Sequence, residues 1–289
     1  MRVFFTTFFK VLATLLALGF FLALVIGILA LADVDNSSDF IFVEGNKDSK
    51  NTIVVLNLNG PIIPDSLNLN NFSTFQFISP SSFKKKLEKL KTLKPKLIII
   101  SINSPGGTVS ASYEIFNILK DFKEKNNLKS YFHTNEILAS GAYWFALSGD
   151  KISASYGSLI GSIGVKGPDW IYYDKPIALS SGIFGKSVET QNGIKLYSQN
   201  AGRSKDLLNP FRKPTEEELS KLQLIINNIY EDFILSVSKK RKIEKKIIKK
   251  EIGAMIYSAT SAKNNFLIDD VISLESLIED IVKKNDFKD

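Results

Sequence analysis

The chain has 289 residues, of which 44% are hydrophobic and 23% are charged, an ordinary balance for a folded protein. It has no cysteine, which excludes disulfides, thiolate metal sites and a cysteine nucleophile. His133 is the only histidine, which cannot form a usual histidine-rich zinc site, so neither a metal nor a cofactor is expected. The net charge of +7 is concentrated in one segment, and this pattern does not favour nucleic-acid binding.

The first predicted element is a membrane-spanning helix. Residues 11–32 carry no charge, and 22 helical residues extend over roughly 33 Å, enough to cross a hydrocarbon core. Arg2 and Lys10 precede this run and aspartates follow it, so the N-terminus is expected in the cytoplasm and the remainder on the outer side of the membrane. A cleaved signal peptide ending at residues 30–32 is the alternative, but the run exceeds the usual length of about 7–15 residues.

Polar residues 33–50 are predicted to link the rest of the chain to the cytoplasmic stub and anchor, residues 1–32. Residues 51–289 are expected to form one large domain, because a single core can still grow to this size. No internal repeat is found in this part of the sequence.

Strand-like and helix-like segments alternate along this domain. Apolar runs at residues 53–58 and 96–102 predict buried strands, and the spacing of apolar residues predicts helices over 81–93 and 109–125. Further strands are predicted at residues 129–134, 151–155, 159–165 and 266–271, and long helical patterns over 215–250. The alternation predicts an α/β fold with a largely parallel sheet.

The basic segment is residues 239–250, with eight lysine or arginine residues and one glutamate. Its simplest interpretation is a solvated helical surface with Ile243, Ile247 and Ile248 turned inward. A patch that faces lipid headgroups is the alternative.

Ser140 is the first candidate for chemistry, because it lies between a predicted strand and a predicted helix. A serine there can be a nucleophile, with the helix N-terminus favouring a developing negative charge. It can equally be a helix cap, a common role that stabilises a helix by about 1 kcal/mol.

Residues 103–107, with the sequence NSPGG, follow a predicted strand directly. Two glycines leave backbone N–H groups accessible, and ligands collect at this end of a parallel sheet. Gly107 is therefore a candidate oxyanion donor, with the Gly141 N–H as a second. A plain tight turn is the alternative.

A base for Ser140 is harder to find in the sequence. His133 lies in a predicted strand without evident orientation toward Ser140, and we interpret it as a structural residue. A Ser-Lys dyad remains, in which the lysine must have a lowered pKa to be neutral. Composition does not choose among the lysines.

Four motifs together point to a known family: NSPGG, then ASGAYW at 139–144, GSIGV at 161–165, and AGRSKDLLNPF at 201–211. In this order they resemble the signal peptide peptidase A family of membrane-bound serine proteases, over roughly residues 52–280. The resemblance implies a fold of repeated strand-strand-helix units similar to the Clp proteolytic subunit and the crotonases, and a Ser-Lys dyad.

The resemblance assigns a role to each candidate residue. It implies that Ser140 is the nucleophile, Gly107 an oxyanion donor and Lys205 the general base. Ser162 corresponds to a serine that orients the lysine, although from the residues alone it is a rival nucleophile. Gly141 remains the second oxyanion donor.

Three departures from the family pattern stand out. The match around Lys205 is partial, which leaves Lys186 and Lys195 as alternative bases. Ala142 stands where a second glycine is frequent, and Asn103 stands where the family often has aspartate.

The family also implies a function and an assembly. It implies a homo-oligomer in which a neighbouring chain can supply the lysine, and apolar peptides such as released signal peptides as substrates. A catalytically silent oligomeric membrane scaffold of the same fold is the alternative. A crotonase-like acyl-CoA enzyme is disfavoured, because CoA thioesters are cytoplasmic and this domain is expected outside.

Overall fold

The structure is a computed structural model, and it describes residues 2–32, 40–46, 49–65, 76–172, 197 and 199–284. The chain separates into two compact units, Met1–Ser49 and Lys50–Asp289. Lys186 and Lys195, the alternative bases, lie outside the described residues.

The first unit contains one long helix, α1 (Arg2–Ala32). Its segment Phe4–Gly27 has a mean hydropathy of 2.5 and is long and apolar enough to cross a membrane. The helix starts before the predicted run at residue 11, because the phenylalanines that precede Lys10 continue the apolar surface.

The second unit is built on a parallel sheet with the strand order β1-β2-β3-β5-β8. Its strands are β1 (Ile53–Asn59), β2 (Leu97–Asn103), β3 (Lys129–Thr134), β5 (Lys151–Ala154) and β8 (Asp270–Val271). All four pairings are parallel, so every strand starts at one edge of the sheet, which we call the amino edge, and ends at the other, the carboxyl edge. The predicted α/β fold with a largely parallel sheet is confirmed.

Helices connect these strands and pack against them. They are α2 (Pro80–Leu93), α3 (Val109–Asn126), α4 (Gly141–Ala146), α5 (Glu216–Arg241), α6 (Lys245–Ile247), α7 (Ala259–Asn264) and α8 (Leu274–Lys284). Capping boxes at Ser79 and Thr215 satisfy backbone donors at the starts of α2 and α5. The helical pattern predicted over 215–250 is interrupted, because Lys242 takes a left-handed conformation and a short π-helix covers Ile248–Ile252.

A smaller sheet lies beside the carboxyl edge and contains β4 (Ile137–Ala139), β6 (Leu159–Gly161) and β7 (Ile256–Ser258). The strand β4 runs parallel to β6, which pairs antiparallel with β7. The prediction of a strand over 159–165 was too long. The strand ends at Gly161 because Ser162 has a φ of 54°.

The core lies on both faces of the main sheet. Ile99 of β2 packs with Leu277 and Ile281 of α8 on one side. Elsewhere in the core, the ring of Phe145 makes edge contacts with Phe83 and Phe132. This packing holds α4, and with it the residue before it, against the sheet.

Candidate active site

Ser140 connects β4 to α4 and has an unusual backbone conformation. Its φ of 53° and ψ of −127° lie outside the regions that serine normally adopts. It occupies the N-cap position, yet its side chain makes no capping hydrogen bond. Strained residues of this kind cost about 1–3 kcal/mol and cluster at functional sites. The partly buried hydroxyl is therefore not used for capping the helix.

The NSPGG loop lies directly against Ser140. The backbone of Ser104 donates to Ile137 at 2.8 Å and accepts from Ala139 at 3.2 Å, which joins the loop to β4. Gly106 has a φ of 96°, and a Cβ added there would lie 2.8 Å from the Cβ of Ser140. Only glycine allows this close approach.

Two backbone amides lie close to each other beside Ser140. Among the described residues the Gly107 N–H has no hydrogen-bond acceptor, and the Gly141 N–H begins a helix, where no intrahelical acceptor exists. A Cβ added to Gly141 would lie 3.4 Å from the Gly107 nitrogen. The structure thus brings Ser140 together with both predicted donors.

Ser162 is a neighbour of Ser140 through strand register. Ala139 is paired with Gly161, so the two serines follow paired residues on adjacent strands, which are about 4.8 Å apart. The Ser140 N–H donates to the Gly161 carbonyl at 2.9 Å, and the Ser162 N–H donates to Met255 at 2.8 Å. Both serines therefore end parallel strands at the same level.

Lys205 is not brought to the serines within the described chain. It lies in an exposed turn, where its N–H donates to Gly202 at 3.2 Å, and its side chain makes no hydrogen bond or ion pair among the described residues. The turn is held by Arg212, whose guanidinium lies 2.7 Å from carboxylate oxygens of both Asp206 and Glu218. Hydrogen bonds from Arg212 lower the pKa of both carboxyls.

Ser112 is a further residue of this site, and sequence reasoning missed it. It lies in the first turn of α3 and is fully buried, and no described residue hydrogen-bonds its hydroxyl. A Cβ added to Gly141 would clash with that hydroxyl. No local sequence signal marks this contact, because it joins residues from two different helices.

Asn103 supports the site from the end of β2. Its side-chain oxygen accepts hydrogen bonds from the Thr134 hydroxyl at 3.0 Å and from the N–H groups of Asn135 and Glu136 at 3.1 and 3.0 Å. These bonds fix the turn that leads into β4. Aspartate could accept the same bonds, so this departure from the family pattern is conservative.

His133 has the character of a structural residue. It is fully buried, with Nδ1 lying 3.0 Å from the Ser153 hydroxyl and Nε2 lying 2.9 Å from the Asn135 side-chain oxygen. Burial lowers its pKa. Among the described residues, no group of histidine, aspartate and glutamate side chains could hold a metal ion.

Comparison with known proteins identifies the family. Residues 123–288, more than half of the chain, match the sequence profile of Peptidase family S49. The chain belongs to this peptidase family. The family resemblance carried by the four motifs is thereby confirmed.

Relatives of the S49 chain support the same assignment. A protein of Enterococcus faecium named as a signal peptide peptidase SppA is 29% identical over 85% of this chain and 67% of its own length. A protein of Methanocaldococcus jannaschii named as a protease is 34% identical over 67% of this chain. The match spans only 57% of that relative's length.

Solved structures with a similar architecture are more distant in sequence. A variant of a membrane-bound stomatin-specific protease has a TM-score of 0.49 at 15% identity, covering 80% of this chain and 84% of its own. A variant of ClpP1 from Listeria monocytogenes has a TM-score of 0.47 at 14% identity, covering 76% and 91%.

Proposed function

We propose that this S49 chain is a membrane-anchored serine endopeptidase with a Ser-Lys dyad. The observation that carries the proposal is the proximity of Ser140, whose backbone is strained and whose hydroxyl does not cap α4, to the Gly107 and Gly141 amides, which have no acceptor among the described residues. A nucleophile beside preorganised donors is what acyl transfer requires.

The proposed reaction has two halves. The Ser140 hydroxyl attacks the peptide carbonyl and passes its proton to neutral Lys205, while the Gly107 and Gly141 amides bind the oxyanion. Lys205 then protonates the leaving amine, which leaves an ester on Ser140. Water attacks this ester, gives its proton to Lys205, and the acid product leaves as Ser140 is reprotonated. Ser162 orients the amine of Lys205.

The lysine is proposed to come from a neighbouring chain. Lys205 is exposed and unpaired among the described residues, which suits a side chain that reaches a second copy. The helix that follows it, α5, exposes Leu219, Leu224 and Ile225 by 41–55%, and such a surface is suited to contact between subunits. We therefore infer a homo-oligomer in which the dyad forms across an interface.

The proposed substrates are extended apolar peptides, such as remnants of signal peptides. Support comes from the name of the Enterococcus relative and from α1, which would keep the enzyme at the membrane where such peptides are released. The N-terminus is proposed to be cytoplasmic and the catalytic unit to lie on the outer side.

A serine-reactive phosphonate probe tests the nucleophile. We expect labelling of the wild type at Ser140, no labelling of Ser140→Ala, and labelling retained by Ser162→Ala. Circular dichroism of each variant controls for folding. Absence of labelling in folded wild type would refute the protease and favour the silent scaffold, whereas loss of labelling only in Ser162→Ala would exchange the roles of the two serines.

A further inference from the structure

The amino edge of the main sheet is lined with lysines. An exposed lysine stands immediately before or at the start of three neighbouring strands: Lys96 at β2, Lys129 at β3 and Lys151 at β5. None of the three makes an ion pair among the described residues, and the ammonium of Lys151 lies 5.5 Å from the centroid of the Tyr131 ring. Because they start strands, they have no helix dipole to neutralise, and their charges are available to an external anion.

The helix ends that reach this edge add to its positive charge. The last turn of α5 contains Lys239 and Lys240 beside Arg241, which is paired with Asp269, and exposed Lys242 follows it. Three carboxylates at this edge are already paired, since Asp150 contacts Lys123 at 2.9 Å, Asp269 contacts Arg241 at 3.0 Å and Asp270 contacts Lys263 at 3.0 Å. The exposed lysines of this edge, Lys96, Lys129, Lys151 and Lys242, therefore have no carboxylate partner in the part of the chain that the structure describes.

Phe266 is exposed at the same edge, in a position that normally belongs to glycine. It follows the C-cap of α7 with a φ of 60°, and the N–H groups of Phe266 and Leu267 donate to Lys263 at 2.9 Å and Ala262 at 2.8 Å. This is a Schellman motif, in which the left-handed residue is usually glycine. Arg241 donates to the Phe266 carbonyl at 2.7 Å, which joins the turn to the basic end of α5.

Neither the backbone nor the core explains this phenylalanine. Its side chain is 69% exposed, and its conformation disfavours any residue with a Cβ. An exposed aromatic ring among uncompensated lysines is instead typical of proteins that bind a bilayer interface, where the ring enters the acyl boundary and the lysines contact anionic headgroups.

We propose that the amino edge docks onto an anionic membrane surface, with Phe266 inserted and the edge lysines at the headgroups. The chain enters this unit at the same edge, since β1 begins at Ile53, shortly after the segment from α1. The inference rests on the membrane anchoring in the proposed function. In this docked orientation the carboxyl edge, with Ser140, is on the side that faces away from the bilayer.

The absence of cysteine allows a site-specific test in the full chain. Lys129→Cys at the amino edge and Glu136→Cys at the carboxyl edge are each labelled with a fluorophore and reconstituted into vesicles that contain a nitroxide-headgroup lipid. With phosphatidylglycerol present, we expect quenching at position 129 to be at least about twofold stronger than in phosphatidylcholine alone, and to weaken in about 1 M salt. Quenching at position 136 should stay low in both vesicles.

Phe266→Gly provides a second test, in which thermal stability and membrane contact are expected to change in opposite directions. Glycine relieves the left-handed strain and should raise the melting temperature, while loss of the ring should reduce the quenching at position 129. If Phe266 has only a structural role, quenching at position 129 will be the same in Phe266→Gly as in wild type, and that result would overturn the proposed insertion of the ring.

Two outcomes would overturn the docking itself. One is equal quenching at positions 129 and 136. The other is quenching that ignores phosphatidylglycerol but rises with the protein-to-lipid ratio, which would assign the edge to contacts with a second copy. Retention of the chain in vesicles after alkaline carbonate washing reports on α1, and phosphonate labelling reports on Ser140, so failure of docking is distinguishable from failure of anchoring or catalysis.

Discussion

At the scale of single residues, the candidate site depends on missing side-chain atoms as much as on reactive groups. Gly106 and Gly141 are pressed against Ser140 and Ser112, respectively, at distances where a Cβ would not fit. Gly107 is equally restricted, because a Cβ added there would overlap the carbonyl oxygen of Ile62. Among the described residues the Ser112 hydroxyl has no hydrogen-bond partner, and it lies directly against Gly141, so any shift of α3 would move the proposed oxyanion donor.

Gly141→Ala should therefore inactivate the enzyme without unfolding it. The added Cβ clashes with Ser112 and displaces the Gly141 N–H, and loss of one oxyanion donor costs about 10²–10³ in kcat. Peptidase kinetics would measure this loss. Ala142→Gly, one position later, is the matched control and should retain most of the activity. If Ser112→Gly combined with Gly141→Ala recovers none of it, the clash is not the cause.

His133 predicts a dependence of stability on pH. Burial lowers its pKa in the folded chain below the ordinary value of 6.5, so the unfolded chain binds the proton more readily. The stabilisation is complete above the unfolded pKa of about 6.5 and is lost as the pH falls toward the folded value. Urea titrations between about pH 7.5 and 5 should show this decline. Because the chain has one histidine, His133→Gln should flatten the slope, and an unchanged slope would contradict the assignment.

At the scale of secondary-structure elements, the site is formed where strands of two sheets end together. The main-sheet strand β2 delivers the NSPGG loop, and the small-sheet strands β4 and β6 deliver Ser140 and Ser162. The link between the two sheets is polar, through Ser104 and the side chain of Asn103. These hydrogen bonds fix the position of β4, and therefore of Ser140, relative to the Gly107 amide.

Asn103→Leu should weaken this link. The change keeps the approximate size of the side chain but removes an oxygen that accepts three hydrogen bonds. We expect the free energy of unfolding to fall by about 2 kcal/mol, because the hydroxyl of buried Thr134 and the N–H groups of two exposed residues lose their acceptor. Chemical denaturation would measure it. Asn103→Asp keeps the acceptor and should remain within about 1 kcal/mol of wild type; a loss as large as that of Asn103→Leu would show that the hydrogen bonds are not responsible.

At the scale of the whole molecule, the described part of one chain brings no lysine to the proposed active site. The serines and amides lie together, while Lys205 is exposed in a turn that Arg212 ties to the start of α5. An interface that buries this turn would also desolvate the amine, which lowers a lysine pKa toward the range where it can act as a base. Formation of the oligomer would then also complete the catalytic dyad.

Mixed oligomers test this directly. Ser140→Ala chains and Lys205→Ala chains are each expected to be inactive, but co-expressed at equal levels they should regain activity at about a quarter of the sites, where an intact serine meets an intact lysine. The control replaces the second partner with a Ser140→Ala/Lys205→Ala chain, which should give none. Failure to regain activity in oligomers shown to be mixed would exclude a lysine supplied by the neighbour.

The sequence by itself determined the local and repetitive features of this protein. Apolar runs and their periodicity located α1 and all five strands of the main sheet, because burial acts on neighbouring residues, although β8 covers only Asp270–Val271 of the strand predicted over 266–271. The prediction that Ile247 turns inward was wrong, since that side chain is 36% exposed, whereas Ile243 and Ile248 are buried. Helical spacing alone did not reveal that α5 ends at Arg241, with Lys242 as its C-cap, inside the basic segment 239–250.

Only the tertiary structure decided how distant segments meet. The strands β4 and β7 were too short for a periodic signal, yet β4 sets the position of Ser140. The contact of Ser112 with Gly141, the three bonds to Asn103 and the gathering of lysines at one edge join residues far apart in the chain. Such contacts depend on strand order and register, which follow from packing the whole sheet and are not written in any single stretch of residues.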